Sequence, residues 1–559
     1  MSKTKGDTPK AEMVMVPLGG VGEIGMNCMM YGYGLPGDYK WIMVDLGLTF
    51  AGPREPGVEI IVPDITFAEN EKPNIEAIIL THAHEDHYGA IPDLWENLEV
   101  PIYATPFTAA MLKAKLSRDG LEDIVKINEV PRRAKFDVGP FSVEMIDMAH
   151  SIPEPLGLHI KTDVGTLFHT GDWKLDPDPI VGPPTDENRL RELGDKGIDV
   201  LVCDSTNATR EGSSISEVDV AKTLKELIAE AKQRVVVTTF ASNVARIKSV
   251  AEAAYASNRY VILAGRALER AVGIAKETGY IPQDYNFLSD EDFQHLPANE
   301  CVVLATGSQG EGRAALARIA ENSHPRVKLK PKDTVIFSSR TIPGNERSVG
   351  YIINLLASQG LNLITESDAP VHVTGHPRRG ELEQLYSWVR PNLLVPVHGE
   401  EQHLRAQAEF AKEKNIEKVQ LIRNGDMLSL LPTGPEIIDE VPNGRLYRDG
   451  YFILEDDEAI RVRRKISNLG TVTVSCVVDS KGNLIAPPSW SELGVPNDHE
   501  SGELEEIIEN AVNGTIKSVP PKRRSDKKML KEALRRSVRS ALNEYWGKKP
   551  VVTIHLHQI

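Results

Sequence analysis

Cysteine is scarce in this chain. Only Cys28, Cys203, Cys301 and Cys476 occur among 559 residues, far apart and without a Cys-x-x-Cys pair. That pattern excludes a disulfide framework and a cysteine zinc cluster, and it leads us to expect a reducing, cytoplasmic setting. No run of about 18 apolar residues appears, so neither a transmembrane helix nor a membrane partner is expected. Met1 to Lys10 is polar and lacks the apolar centre of a secretory signal. Net positive charge is absent too: 64 Lys and Arg against 80 Asp and Glu leave −16. A uniformly acidic surface would repel phosphates, but the charge is uneven. Glu503, Glu505, Glu506 and Glu509 form an acidic patch, followed by a basic block from Lys522 to Arg539, and Arg313 to Lys332 is a second basic stretch. Net charge therefore neither supports nor excludes a nucleic-acid partner. No aromatic-rich motif appears that would point to base stacking.

The length implies about three domains. The first 200 residues read as short β-rich runs broken by Gly and Pro, such as Met13–Pro17, Trp41–Asp45, Ala77–Leu80 and Phe141–Met145. From about Ser216, helical patterns (Val218–Ala231, Ala245–Ala256) alternate with strand-like runs (Val235–Thr239, Tyr260–Leu263, Cys301–Ala305, Thr334–Phe337). Such alternation indicates an α/β unit with a parallel sheet. Near His372 to Gly399 the strand-then-loop style returns, so the second domain reads as inserted into the first. The expected boundaries are 1–215 and 371–450 for the two parts of the first domain, 216–370 for the insert, 451–465 for a linker, and 466–559 for a small C-terminal α+β domain. That last domain should contain a strand at Thr471–Val478, helices at Glu503–Asn513 and Lys527–Glu544, and a closing strand at Val551–His557.

Gly20-Val-Gly22-Glu-Ile-Gly25 satisfies the Gly-x-Gly-x-x-Gly pattern of dinucleotide folds, with Asp45 twenty residues beyond. That fingerprint needs a helix after the last Gly. Met26–Gly37 contains Tyr-Gly-Tyr-Gly-Leu-Pro-Gly, which cannot form a three-turn helix. A glycine-rich turn between antiparallel strands is expected instead.

The strongest chemical signal is Thr81-His82-Ala83-His84-Glu85-Asp86-His87, directly after the apolar run Ala77–Leu80. Imidazole and carboxylate groups at this density desolvate and repel one another unless a cation compensates them. The mixture suits zinc, and open positions for water are the catalytic arrangement. Further ligands for a second ion stand at the ends of strand-like runs: His150 in Met148-Ala-His-Ser-Ile-Pro153, Asp172 in Phe168-His-Thr-Gly-Asp172, and His398 in Val395-Pro-Val-His398.

His-x-His-x-Asp-His followed by a lone His and then Gly-Asp resembles the metallo-β-lactamase superfamily. Asp204 in Cys203-Asp204-Ser-Thr, His376 in His372-Val-Thr-Gly-His376, and His398 resemble motifs A, B and C of its β-CASP nuclease branch. With Leu18–Gly25, His150–Glu154 and Thr306-Gly-Ser-Gln-Gly-Glu311 added, the chain is similar along almost its whole length to the bacterial ribonuclease J family. It departs from that pattern at Ala83, where Gly is common, and at Thr374, where Ser is usual. Both replacements are small residues, so tuning rather than loss is expected.

The resemblance implies a metallo-β-lactamase αββα sandwich, an inserted β-CASP α/β domain and a small C-terminal α+β domain. It implies two divalent ions per chain, zinc or manganese. His82, His84 and His150 would hold one, Asp86, His87 and His398 the other, and Asp172 would bridge. The ions would supply a nucleophilic water near neutral pH, and His376, oriented by Asp204, would protonate the leaving 3′-oxygen. Asp45 is expected to orient a metal-binding loop. Ser308, Gln309 and Gly310, with Ser339, Arg340, His372 and Thr374, would form a pocket for an RNA 5′-monophosphate, its loop amides lying at a helix start that is expected at Arg313. The implied activity is 5′-to-3′ exonuclease and endonuclease cleavage of single-stranded RNA in rRNA processing and mRNA decay. The implied assembly is a homodimer or homotetramer, with an RNA-degradation complex as a possible partner. A DNA-processing nuclease of the same fold and a non-catalytic RNA-binding subunit are the alternatives. Every ligand position is filled, which speaks against the second.

Overall fold

A computed structural model of the chain describes residues 10–559 apart from 343, 456 and 497–502. Nearly all of the polar N-terminal stretch noted above lies outside the described residues. The chain divides into two units, one of residues up to 49 and 61–446, the other of 50–60 and 447–559.

The first unit is built on two mixed sheets. One runs in the order Glu436–Glu440, Asp426–Leu431, Glu12–Gly19, Cys28–Leu35, Asp38–Val44, Ile75–Ile79, Ile102–Ala104, Ile127–Glu129. The other runs Lys135–Val138, Phe141–Asp147, Leu156–Thr162, Gly165–His169, Val200–Asp204, Leu393–Val397, Lys418–Val419. Alternation along Val200–Asp204 shows how each strand serves two layers, because successive side chains point to opposite faces. Val200 and Val202 join Met13, Tyr31, Val44 and Leu158 between the sheets. Leu201 and Cys203 point the other way, onto Leu190, Leu382 and Phe410 of flanking helices. A strand covered on both faces reads as an unbroken apolar run, and that is how this one reads. The architecture is the metallo-β-lactamase αββα sandwich. The Gly-rich segment after Gly19 leads into Cys28–Leu35, which pairs antiparallel with Glu12–Gly19, so no crossover helix follows it.

Between Val200–Asp204 and Leu393–Val397, which are adjacent parallel strands, the chain makes a separate six-stranded sheet. Its order is Phe287–Ser289, Tyr260–Ala264, Cys301–Ala305, Val235–Thr238, Thr334–Phe337, Asn362–Ile364, and each neighbouring pair is parallel. Helices Glu217–Glu230, Val244–Ala256 and Glu346–Ser358 supply connections, as strand–helix alternation demands.

In the second unit Thr471–Val478 alternates half-buried and buried residues and lies between Ser489–Leu493 and Val551–Gln558. Helices Glu503–Ser518 and Lys527–Trp546 bury Leu504, Ile508, Val512 and Leu530, Leu534, Val538, Leu542, each series spaced by four. The stretch 451–465, read from sequence as a linker, instead carries the strand Phe452–Leu454 and most of the helix Glu458–Leu469. That helix buries only Ile460, so its apolar periodicity is weak in the sequence.

Candidate metal centre

The chemistry-bearing residues stand at the C-terminal ends of strands. Gly165–His169, Val200–Asp204 and Leu393–Val397 run parallel and adjacent, with His169 opposite Val202 and Asp204 opposite Val397. The loops leaving them therefore present Asp172, Asp204 and His398 side by side. Ile75–Ile79 delivers Thr81–His87, and Phe141–Asp147 delivers His150. His398 has φ 50° and Asp45 φ 63°, a conformation that bulky residues avoid, so the surrounding contacts hold these turns in place.

Three donor groups result: one of His82, His84, His150 and Asp172, a second of Asp86, His87, Asp172 and His398, and a third of Asp204, His376 and His398, which shares His398 with the second. In the first, His82 Nε2 and His150 Nε2 lie 3.0 and 3.1 Å from His84 Nδ1, and each lies 3.8 Å from Asp172 Oδ2. In the second, His87 Nε2 is 3.2 Å from Asp172 Oδ2 and 3.7 Å from Asp86 Oδ2, and His398 Nε2 is 3.5 Å from Asp172 Oδ1. Ligands at 2.0–2.1 Å around a tetrahedral zinc sit about 3.3 Å apart, so this spacing fits. His398 Nε2 supplies a further test of fit: it is buried and has no hydrogen-bond partner among the described residues. The donor set is imidazole and carboxylate, which both zinc and manganese accept.

The opposite edge of three of these imidazoles is held. His87 Nδ1 donates to Asp45 Oδ2 at 2.7 Å, and Asp45 also accepts from Thr81 N and Oγ1, both at 2.8 Å. His150 Nδ1 donates to the Gly375 carbonyl at 2.6 Å, and His398 Nδ1 to Asn27 Oδ1 at 2.8 Å. Each bond fixes the tautomer that turns Nε2 toward the site, where His87 Nε2 also meets Asn27 Nδ2 at 3.1 Å. Gly375 must be glycine, since a Cβ there would lie 2.4 Å from His150 Cε1. At Gly47 a Cβ would meet the Asp86 carbonyl oxygen at 1.7 Å, so the Asp45 turn can press against Asp86 and His87.

Protonation follows from this packing. Burial first, then the neighbouring imidazoles, push His82 and His150 well below the usual range, and His84 to about 4, so all three are neutral and ready to coordinate. At His87 burial also opposes charge, but Asp172, Asp86 and Asp45 outweigh it and raise the imidazole well above its ordinary value. Asp172 behaves conversely: burial favours its protonation, yet His398, His87 and His376 hold it well below the carboxylate range.

His376 stands beside both sets. Its Nδ1 lies 2.8 Å from Asp204 Oδ2 and 3.9 Å from Asp172 Oδ2. Burial is overcome by Asp204 and then Asp172, which raise the ring to about 9. Asn207 Nδ2 donates to Thr374 Oγ1 at 2.7 Å and to the His376 carbonyl at 3.2 Å, and Thr374 Oγ1 accepts from His376 N at 3.2 Å. Thr374 thus braces His376.

The residues expected to form a phosphate pocket come from loops at one end of the inserted sheet. Burial, then Arg246 and Arg340, hold the His372 imidazole well below its usual range, and its Nδ1 is buried with no hydrogen-bond partner among the described residues. Ser308 and Ser339 are buried. Gln309 is engaged at both ends: its Nε2 donates to the Arg340 carbonyl and its Oε1 accepts from Ile342 N, both at 2.8 Å. Gln309 therefore ties two pocket loops together. The helix expected at Arg313 begins at Ala315, because Ala314 is extended, with φ −74° and ψ 164°. The amides of Ser308 to Gly310 consequently do not form that helix's N-terminus. Sequence reading passed over Asn27, Gly375 and Asn207. Gly375 sits inside a motif it did single out, Asn27 lies two residues beyond Leu18–Gly25, and Asn207 follows Cys203-Asp204-Ser-Thr directly.

Comparison with known proteins agrees with this geometry. The chain matches the beta-lactamase superfamily domain over residues 40–239, the ribonuclease J beta-CASP domain over 232–356, the Zn-dependent metallo-hydrolase RNA specificity domain over 369–421 and the ribonuclease J C-terminal domain over 458–559. It is 50% identical over 550 residues to ribonuclease J of Sinorhizobium meliloti, covering 98% of each chain. It is 37% identical to the Corynebacterium glutamicum enzyme, over 96% of this chain and 74% of that one, and 36% identical to the Mycolicibacterium smegmatis enzyme, over 96% and 95%. A solved structure of a protein of unknown function from Enterococcus faecalis shares the fold at a TM-score of 0.52 and 16% identity, covering 75% of this chain and 100% of that one.

Proposed function

This chain belongs to the ribonuclease J family, and on that premise we propose that it is a two-metal ribonuclease degrading single-stranded RNA from a 5′-monophosphate end, with internal cleavage as a second mode. The observation that carries this reading is the pair of donor sets joined by Asp172 beside the His376–Asp204 couple. His82, His84 and His150 would hold one ion, Asp86, His87 and His398 the other, with one Asp172 oxygen facing His82, His150 and His87 and the other facing His398. Bound there, the ions would supply Lewis acidity toward water and toward the scissile phosphate. Zinc is the proposed ion and manganese the substitute.

The chain's own residues do the rest. Asp204 holds His376 through Nδ1, which leaves Nε2 as the atom that hands a proton to the leaving 3′-oxygen. An imidazole raised to about 9 carries that proton at neutral pH. Asp45, Asn27 and the Gly375 carbonyl keep three ligand rings aimed. Arg340, His372, Ser308 and Ser339 surround the place of the 5′-phosphate. In the cell this activity belongs to rRNA processing and mRNA decay in the cytoplasm, carried out by a homodimer or homotetramer that a degradation complex can recruit. Among the described residues no helix is long and apolar enough to cross a membrane.

The test is a 3′-labelled single-stranded RNA with a 5′-monophosphate, compared with the 5′-triphosphate form and a matching DNA. Progressive shortening of the first, resistance of the second, and arrest by chelator or by Asp86→Ala with His87→Ala support the reading. Cleavage of DNA alone would transfer the assignment to a DNA nuclease, and no cleavage of either with zinc or manganese would overturn catalysis.

A further inference from the structure

Arg210, Arg378 and Arg379 gather beside Arg340 of the proposed 5′-phosphate pocket. Arg340 Nε is 3.1 Å from Glu366 Oε1, and Arg379 Nη1 donates to Glu211 Oε1 at 2.7 Å, so both have a carboxylate partner. Arg210 and Arg378 differ. Among the described residues neither guanidinium has an ion pair, and Arg378 Nε is buried with no hydrogen-bond partner. A backbone bond from Arg379 N to the Arg210 carbonyl, 3.0 Å, fixes the two segments side by side. The field of Arg340, then burial and the field of Arg378, hold the Arg210 guanidinium below its ordinary value. Glu366, the partner of Arg340, offsets only part of this repulsion, and an arriving anion relieves what remains.

The order of depth says which anion. The His372 ring nitrogen is buried, the Arg340 side chain is 29% exposed, and Arg210 is exposed. His372 is thus the most enclosed of the three and Arg210 the most open to solvent. Guanidinium forks match phosphate oxygens, and two of them bracket a single phosphate.

We propose that Arg210 and Arg378 form an outer anion subsite for the phosphate lying on the 5′ side of the nucleotide whose own 5′-phosphate occupies the Arg340 pocket. Two sources carry that chemistry: the β-phosphate of a triphosphorylated 5′ end, and the internucleotide phosphate of an upstream residue when RNA runs through for internal cleavage. The subsite rests on the function proposed above, because the pocket defines its inner edge.

The experiment measures inhibition constants against cleavage of 5′-monophosphate RNA. The competitors are 5′-triphosphate RNA and circular RNA of the same sequence, each across a salt series. The enzymes are the parent, Arg210→Gln with Arg378→Gln, and Arg210→Lys with Arg378→Lys. The glutamine pair should raise the inhibition constant of at least one competitor about tenfold more than it raises KM for monophosphate RNA, with restoration by the lysine pair. The salt slope should fall by about 0.7 per lost phosphate contact on a single strand. An effect on triphosphate RNA alone identifies the β-phosphate, and one on circular RNA identifies the upstream nucleotide. Equal changes for all substrates, or none, overturn the subsite. A parent enzyme that leaves monophosphate RNA uncut overturns the function instead.

Discussion

His398 Nδ1 lies 2.8 Å from Asn27 Oδ1, and that bond leaves His398 Nε2 buried and unpartnered, facing Asp86 and Asp172. Residues 371 positions apart in sequence thereby settle the tautomer of one proposed ligand. Replacing Asn27 with Ala should weaken metal affinity about 10- to 100-fold, as losses of such orienting partners do. A competitive chelator titration reads this directly, and unchanged affinity would remove Asn27 from the account.

Asp45 is the carboxylate behind His87, accepting from its Nδ1 and from Thr81. Asp45→Asn keeps the shape and removes the charge. Affinity at the His87 site is expected to fall by a similar about 10- to 100-fold, with the other site less affected. Metal content after dialysis against graded chelator separates the two.

The His376 imidazole is raised to about 9 against burial, chiefly by Asp204. A raised value means the charged ring is stabilised in the folded protein, so the proton is held at neutral pH and lost as pH climbs. Asp204→Asn removes the main stabilising charge and should move the alkaline limb of log kcat to lower pH. An unmoved limb, with kcat reduced equally at every pH, would show that Asp204 does not act through this proton.

Glu154 follows His150 by four residues and is buried, accepting from Phe107 N and from the Tyr280 hydroxyl, both at 2.8 Å. Tyr280 belongs to the inserted domain. Tyr280→Phe should lower stability by about 1 kcal/mol and slow RNA cleavage several-fold more than hydrolysis of a small activated phosphodiester, which needs only the metals. Equal losses on both substrates would reduce the contact to packing.

The fold was legible where periodicity was strong. Val235–Thr238 and Thr334–Phe337 announced a parallel sheet by short runs of β-branched and aromatic residues between amphipathic helices. Leu504 to Ile516 and Leu530 to Leu542 announced two helices by their spacing. Ile460, the only apolar residue buried in its helix, gave no such signal, and the helix was read as linker. The donor-bearing loops were legible because seven His and Asp side chains at strand ends have no packing explanation. Asn27, Gly375 and Asn207 were not, because each acts through long-range hydrogen bonds or a close approach that no local pattern records. Gln309 has the opposite history: its motif was plain, while its two bonds to the Arg340 loop make it a tie between loops.

The most direct test of the central claim titrates metal-stripped protein with zinc while following mononucleotide release from 5′-monophosphate RNA. The account predicts no release from the stripped chain, full activity only as the second equivalent per chain is bound, and none at any loading for Asp172→Ala. Full activity at one equivalent, or any release in excess chelator, would contradict it.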